Sequence, residues 1–98
     1  MNEKQAMVLQ NDLVQVCEKT MMVKQPKTVA LYKKIVFDTS VEWAKKNGFK
    51  YIKQQAIMLI RLDSNITLIV EPYGNPEFRC IEIIWDLIEM TDGNLFLT

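Results

Sequence analysis

The chain alternates between stretches whose apolar residues recur every three or four positions and stretches where they recur every two. Over residues 3–22, Ala6, Leu9, Leu13, Val16 and Cys17 recur at three- and four-residue spacing, and Met7, Val14 and Met21 widen the stripe. Asn11, Gln15 and Glu18 fall on the opposite side, which predicts an amphipathic N-terminal helix. Pro26 then breaks the chain, and Val23–Lys27 reads as the first loop.

Residues 28–47 carry both periods at once. Val29, Leu31, Ile35 and Phe37 alternate as a strand does, followed by Thr39-Ser40-Val41-Glu42, which fits a capping box opening a short helix that Gly48 ends. In a continuous helix, Lys27, Lys34, Asp38 and Lys45 would instead fall on one line, with Val29, Tyr32, Val36 and Trp43 opposite. The pattern leaves the two readings open, and a helix over Val41–Lys46 is common to both. Ala56–Leu62 and Ile66–Glu71 are β-rich runs separated by the turn formers Asp63-Ser64-Asn65. They predict a β-hairpin over about 55–72 in a small, mostly antiparallel sheet. Their apolar residues lie on both faces, so the hairpin belongs at the centre of a sheet covered on both sides, or covered on one side and used for contact on the other.

Residues 76–91 read as a C-terminal helix. Asn75 suits the N-cap, Pro76 the first turn, and Arg79, Glu82, Asp86 and Glu89 make one polar stripe at helical period. Phe78, Ile81, Ile83, Ile84, Trp85, Leu87, Ile88 and Met90 fill the rest, more apolar surface than a peripheral helix of a small domain can bury. Around that helix Trp85 stands at the flank of the apolar arc, beside the polar stripe. Leu95-Phe96-Leu97 follows as a short extended tail. The expected fold is therefore a small single α+β domain spanning residues 1–98, with an N-terminal helix, a central hairpin and a C-terminal helix.

Charge changes this picture by being sorted along the chain. Formal net charge is zero, yet residues 1–54 carry ten lysines against five acids and residues 55–98 carry two arginines against seven acids. Such asymmetry points to an electrostatic contact with a partner or with a second copy. Between Lys19 and Lys53, nine lysines face only Asp38 and Glu42, with Tyr32, Trp43, Phe49 and Tyr51 interleaved. Cations can hold phosphates while aromatics stack bases, so Lys24, Lys27, Lys33, Lys34, Lys45, Lys46 and Lys50 are candidate nucleic-acid or nucleotide contacts. Against this, the span holds no arginine, no RRM, KH or zinc-finger pattern occurs, and the sequence pI is about 6.2.

Candidate chemistry is sparse. The chain has no histidine, which removes the commonest acid/base group and the zinc-hydrolase and histidine-containing deaminase signatures. Cys17 and Cys80 are too few for a four-thiolate metal site and read as reduced core thiols. Gly48, Gly74 and Gly93 are too scattered to cradle a phosphate. Glu82, Asp86 and Glu89 would stand one helical turn apart, a spacing that solvated helix faces show routinely. No enzymatic activity, metal or cofactor is expected.

The N-terminus lacks the basic and apolar regions of a signal peptide, and the longest apolar run, Ala56–Ile60, falls far short of the roughly 20 residues of a membrane span. The expectation is a soluble cytoplasmic protein with no membrane partner. It binds another protein, as an interaction module or an inhibitor of the phage- or plasmid-borne, anti-defence or host-enzyme type. Phe78, Ile83, Trp85, Met90, Leu95 and Phe96 are the candidate interface, and a homodimer through the C-terminal helix or tail is expected.

Overall fold

The computed structural model describes residues 1–64 and 66–72 in full, and residues 81–87 as backbone. Two helices precede a sheet: α1 (Glu3–Lys24), α2 (Val29–Lys46), β1 (Lys50–Gln54), β2 (Ile57–Arg61), β3 (Ile66–Pro72) and β4 (Ile81–Leu87). The sheet order is β1-β2-β3-β4 and every pairing is antiparallel. The α+β class, the N-terminal helix and the central hairpin agree with the sequence reading.

α1 opens on a capping box. The Asn2 side chain accepts from the Gln5 backbone N–H at 2.9 Å, and the Gln5 side chain accepts from the Asn2 N–H at 3.0 Å, so two otherwise orphaned donors are satisfied. The helix runs past its expected end at residue 22, through Val23 to Lys24. Gln25 then takes a left-handed conformation (φ 45°), and its N–H closes on the Met21 carbonyl. Thr28 caps α2 by accepting from the Leu31 N–H at 3.1 Å.

α2 resolves the double period of residues 28–47 in favour of one helix. Tyr32, Val36, Thr39, Ser40 and Trp43 are all buried, at spacings only a helix brings to one side. Thr39 and Ser40 lie inside the helix rather than at a cap, and the Ser40 hydroxyl donates to the Val36 carbonyl at 2.7 Å. The C-terminus is a Schellman turn, with Phe49 N–H bonded to the Ala44 carbonyl at 2.9 Å and Gly48 N–H to that of Lys45 at 3.2 Å. Gly48 supplies the positive φ of 74° that this turn requires. Phe49 packs on Trp43 with ring centroids 5.5 Å apart, the apolar contact that accompanies such a stop.

Both helices cover one face of the sheet. Ala6, Leu13, Cys17 and Met21 of α1 and Tyr32, Ile35, Val36, Phe37, Trp43 and Ala44 of α2 form one cluster with Met58, Ile60, Leu62, Ile66, Leu68 and Val70. Those strand residues alternate, so they share the helix-facing side. Leu59 and Thr67, on the other side, are buried as well, and Ile57 and Ile69 are half-buried. This accords with a hairpin apolar on both faces, set between β1 and β4.

β1 had no counterpart in the sequence reading. Its hairpin to β2 turns on two residues, Gln55 and Ala56, with Gln54 paired to Ile57 and Gln55 at φ 52°. Neither loop residue is a usual turn former.

The expected C-terminal helix over about 76–91 is corrected at its centre: residues 81–87 form β4, paired with β3 from Pro72↔Ile81 to Ile66↔Leu87. Within that window the two acids, Glu82 and Asp86, share one parity, while Ile81, Ile83, Trp85 and Leu87 share the other, so a period of two fits. β-branched and aromatic residues dominate it and favour a strand. Arg79 and Glu89, which made the polar stripe look helical, lie outside the described residues. Glu82 and Asp86 are therefore about 13 Å apart along a strand rather than one helical turn apart.

Candidate protein interface on the helical hairpin

α1 and α2 pack as an antiparallel pair, with a base where α2 meets the sheet and a tip where the two helices join. At the base, Trp43 is buried and its indole N–H donates to the Asp12 carboxylate at 2.8 Å. The Asn47 side-chain amide donates to the Trp43 carbonyl at 2.8 Å. The indole thus has its ring in the core, its N–H satisfied by α1, and Phe49 against it. An open groove of about 840 Å³ runs between the helices from this end. Its charged residues are Lys24, Lys45 and Lys46 against Asp12, Asp38 and Glu42, so it is electrically balanced.

The tip is different in kind. Met22 and Val23 in the last turn of α1 are 64% and 84% exposed, and Val29 and Leu31 in the first turn of α2 are 40% and 45% exposed. These four large apolar side chains flank one short connection, within ten residues of chain. From Lys19 to Phe37 the sequence holds five lysines (19, 24, 27, 33 and 34) and no acid. All five are exposed. Among the described residues Lys34 alone of the five makes an ion pair, with Asp38 at 2.6 Å.

The seven candidate lysines are thereby divided. Lys24, Lys27, Lys33 and Lys34 belong to the tip. Lys45 and Lys46 lie in the last turn of α2, and Lys50 opens β1. Lys33 and Lys45 are twelve residues apart on one helix, about 18 Å at 1.5 Å per residue. Asp38 and Glu42 come between them. Lys50 stands across from Arg61 in the β1–β2 register, beside a depression of about 350 Å³ that also includes Phe49 and Asp63. Lys53 lies on the helix side of β1, its ammonium 4.6 Å from the centre of the Phe37 ring.

The aromatics interleaved with these lysines are mostly inside. Tyr32, Phe37 and Trp43 are buried, and Phe49 and Tyr51 are half-buried against the core. A buried ring stacks on its neighbours and not on a base.

Of the candidate interface residues, Phe78, Met90, Leu95 and Phe96 lie outside the described residues. Ile83 and Trp85 occupy β4 positions across from Val70 and Leu68. The position of Trp85 at the flank of a helical arc is superseded by that register. Cys80 lies outside the described residues, and Cys17 is a buried free thiol. Burial pushes the Cys17 thiol up from an ordinary 9.0 to about 12, against a smaller lowering by its hydrogen bond with Ser40. It is a core side chain held neutral. Among the described residues no three His, Cys, Asp or Glu side chains converge as a metal site would need, and no helix is long and apolar enough to cross a membrane.

The exposed tip was not singled out from the sequence. The available signal was Met22-Val23, which fall off the buried stripe of α1 and adjoin the acid-free run. No family model matches the chain, and no curated protein or solved structure gives a significant match.

Proposed function

We propose that the protein is a non-catalytic binding domain whose target is another macromolecule, a protein–protein interaction module of the inhibitor type. The observation that supports this most is the helical-hairpin tip. A chain of this size that closes a core around Leu13, Tyr32, Trp43 and Leu68 still leaves four large apolar side chains of the tip in water, beside lysines of which Lys34 alone makes an ion pair among the described residues. Exposed apolar groups gathered at one place and rimmed by polar residues mark contact sites. An inhibitor of a host enzyme, carried by a phage or plasmid, is the class that a small histidine-free domain with segregated charge suggests. The opposite charges of the two halves of the chain support self-association as a homodimer in addition.

Nucleic-acid binding through the lysine segment is the second reading. The acid-free run from Lys19 to Phe37 favours it; the burial of Tyr32, Phe37 and Trp43 leaves it phosphate contacts without base stacking.

Affinity capture from the native host, with and without nuclease treatment, tests both. A protein retained in both preparations is expected. Loss of all retained material on nuclease treatment would transfer the function to nucleic acid. Light scattering at high micromolar concentration tests the homodimer, and a monomer mass there would remove it.

A further inference from the structure

We infer that the tip of the helical hairpin, formed by Met22, Val23, Lys24, Lys27, Val29 and Leu31, is the docking surface for an acidic segment of a partner protein, one that carries apolar side chains among its carboxylates. This inference rests on the protein-binding reading above and gives it a site and a partner chemistry.

Two properties coincide at the tip and nowhere else among the described residues. The first is apolar exposure: Met22, Val23, Val29 and Leu31 present side chains to water from two helix ends joined by residues 25–28. The second is unbalanced charge, since five lysines stand in a run without an acid. The groove toward the base, which Lys24 also lines, has as many acids as lysines. A ligand that satisfies the tip must bring carboxylates for the lysines and apolar groups for the methionine, valines and leucine.

The side-chain types choose among anionic partners. Phosphate recognition favours the arginine fork, and the run from Lys19 to Phe37 holds no arginine. Single-stranded nucleic acid stacks on exposed rings, and the exposed apolar groups here are aliphatic. Membrane-surface helices bury one continuous face rich in tryptophan, phenylalanine and leucine along their length, whereas the tip presents four side chains from two helix ends, with leucine at one position and no exposed tryptophan or phenylalanine. Aliphatic knobs with point-charge lysines fit the apolar ridge of an acidic helix or strand. Methionine adapts its shape to such a ridge.

The test is a titration of isotope-labelled full-length protein, followed by amide chemical shifts. The probe is a synthetic helical peptide with leucine at every third and fourth position and glutamate elsewhere. Two control peptides replace its leucines by serine or its glutamates by lysine. Shifts concentrated on Met22–Leu31 are expected with the glutamate/leucine peptide. Each control should bind about tenfold more weakly or not at all. Val23→Asp should weaken binding about tenfold, as should Lys24→Glu combined with Lys27→Glu. Lys45→Glu combined with Lys46→Glu should leave binding unchanged.

Several results would overturn the inference. One is no binding of the glutamate/leucine peptide. Another is shifts centred on Lys45–Lys50, or equal loss with the Lys45/Lys46 variant. Tighter binding of the tip to an oligothymidine strand or to phosphatidylserine vesicles would assign it to nucleic acid or to lipid instead. Failure of the inference is separable from failure of the binding reading. A captured host partner that binds the Lys24→Glu/Lys27→Glu protein as well as the parent would leave the binding reading standing and remove the tip from it.

Discussion

The two ends of the helical hairpin are built from similar residues and treat them in opposite ways. At the base, a large apolar group is enclosed: Trp43 is buried, bonded to Asp12 and stacked on Phe49, and the nearby lysines alternate with Asp38 and Glu42. At the tip, Met22, Val23, Val29 and Leu31 stay in water, and of the tip lysines Lys34 alone makes an ion pair among the described residues, with Asp38. Solubility accounts for the lysines at the base and for little at the tip. Met7 and Val8 near the start of α1 are exposed as well, at 51% and 64%, so what sets the tip apart is exposed apolar groups together with a run of lysines.

The contrast is broken most severely by truncating the base. Trp43→Ala should cost about 3–5 kcal/mol, from lost burial and a stranded Asp12, read as a lowered urea midpoint. Val23→Asp at the tip should change stability by no more than about 0.5 kcal/mol in the same measurement. Equal losses at both positions would mean that the tip is part of the core, and the comparison would collapse.

A smaller effect separates the orienting hydrogen bond from the burial. Asp12→Ala removes the acceptor of the indole N–H and should cost about 1–2 kcal/mol, while Asp12→Asn, which keeps an acceptor oxygen, should recover most of it. Recovery by asparagine is the decisive readout, since a purely electrostatic role for Asp12 would give none.

The core between the helices should also respond to alkali. The Cys17 thiol is raised in the folded protein from 9.0 to about 12, so the fold holds the neutral form. The associated stability is complete below pH 9 and lost as pH rises from there toward 12, because only the unfolded thiol ionises in that window. At pH 10 the loss is about 1.4 kcal/mol, and Cys17→Ala should abolish that part of the pH dependence. Native Cys17 should correspondingly resist alkylation at pH 8, as checked by mass mapping. Rapid modification there would mean that the helix pair opens.

The smallest expected change is at Lys34–Asp38. The two are exposed neighbours one helical turn apart, so Asp38→Ala should cost only about 0.3–0.5 kcal/mol. Its use lies in sharpening the charge contrast. With Asp38 gone Lys34 loses its partner, and binding of an acidic ligand should strengthen slightly and grow more salt-dependent.

What the sequence disclosed follows from which elements had one period and which had two. α1 was legible because its buried residues Ala6, Leu13, Cys17 and Met21 recur at helical spacing alone. β2 and β3 were legible because Asp63-Ser64-Asn65 separates two β-branched runs. Residues 28–37 satisfied both periods, and only packing of Tyr32 and Val36 against α1 and the sheet decides for the helix. β1 was hidden by its composition, Lys-Tyr-Ile-Lys-Gln, and by a turn at Gln55-Ala56 that accepts positive φ without glycine or asparagine. β4 was misread because the flanking Arg79 and Glu89 completed a stripe that Glu82 and Asp86 do not make by themselves.

The site divides similarly. The lysine-rich segment was plain as a stretch of chain, but its separation into a balanced base and an unbalanced tip depends on α2 being one uninterrupted helix. A kink after Phe37 would have folded Lys45 and Lys46 back toward Lys33 and made one patch of all of them.

The link between the helices has a kinetic consequence. Gln25 is fixed left-handed by its bond to Met21, Pro26 is buried, and Thr28 is bonded to Leu31, so the connection has little freedom left. A surface already ordered before encounter loses little entropy on docking. Substitutions at Met22 or Val23 should then act on how long a partner stays, with the association rate set by the lysines and by salt. Loosening the link by Pro26→Gly should do the reverse, slowing productive encounters while leaving every contact side chain in place.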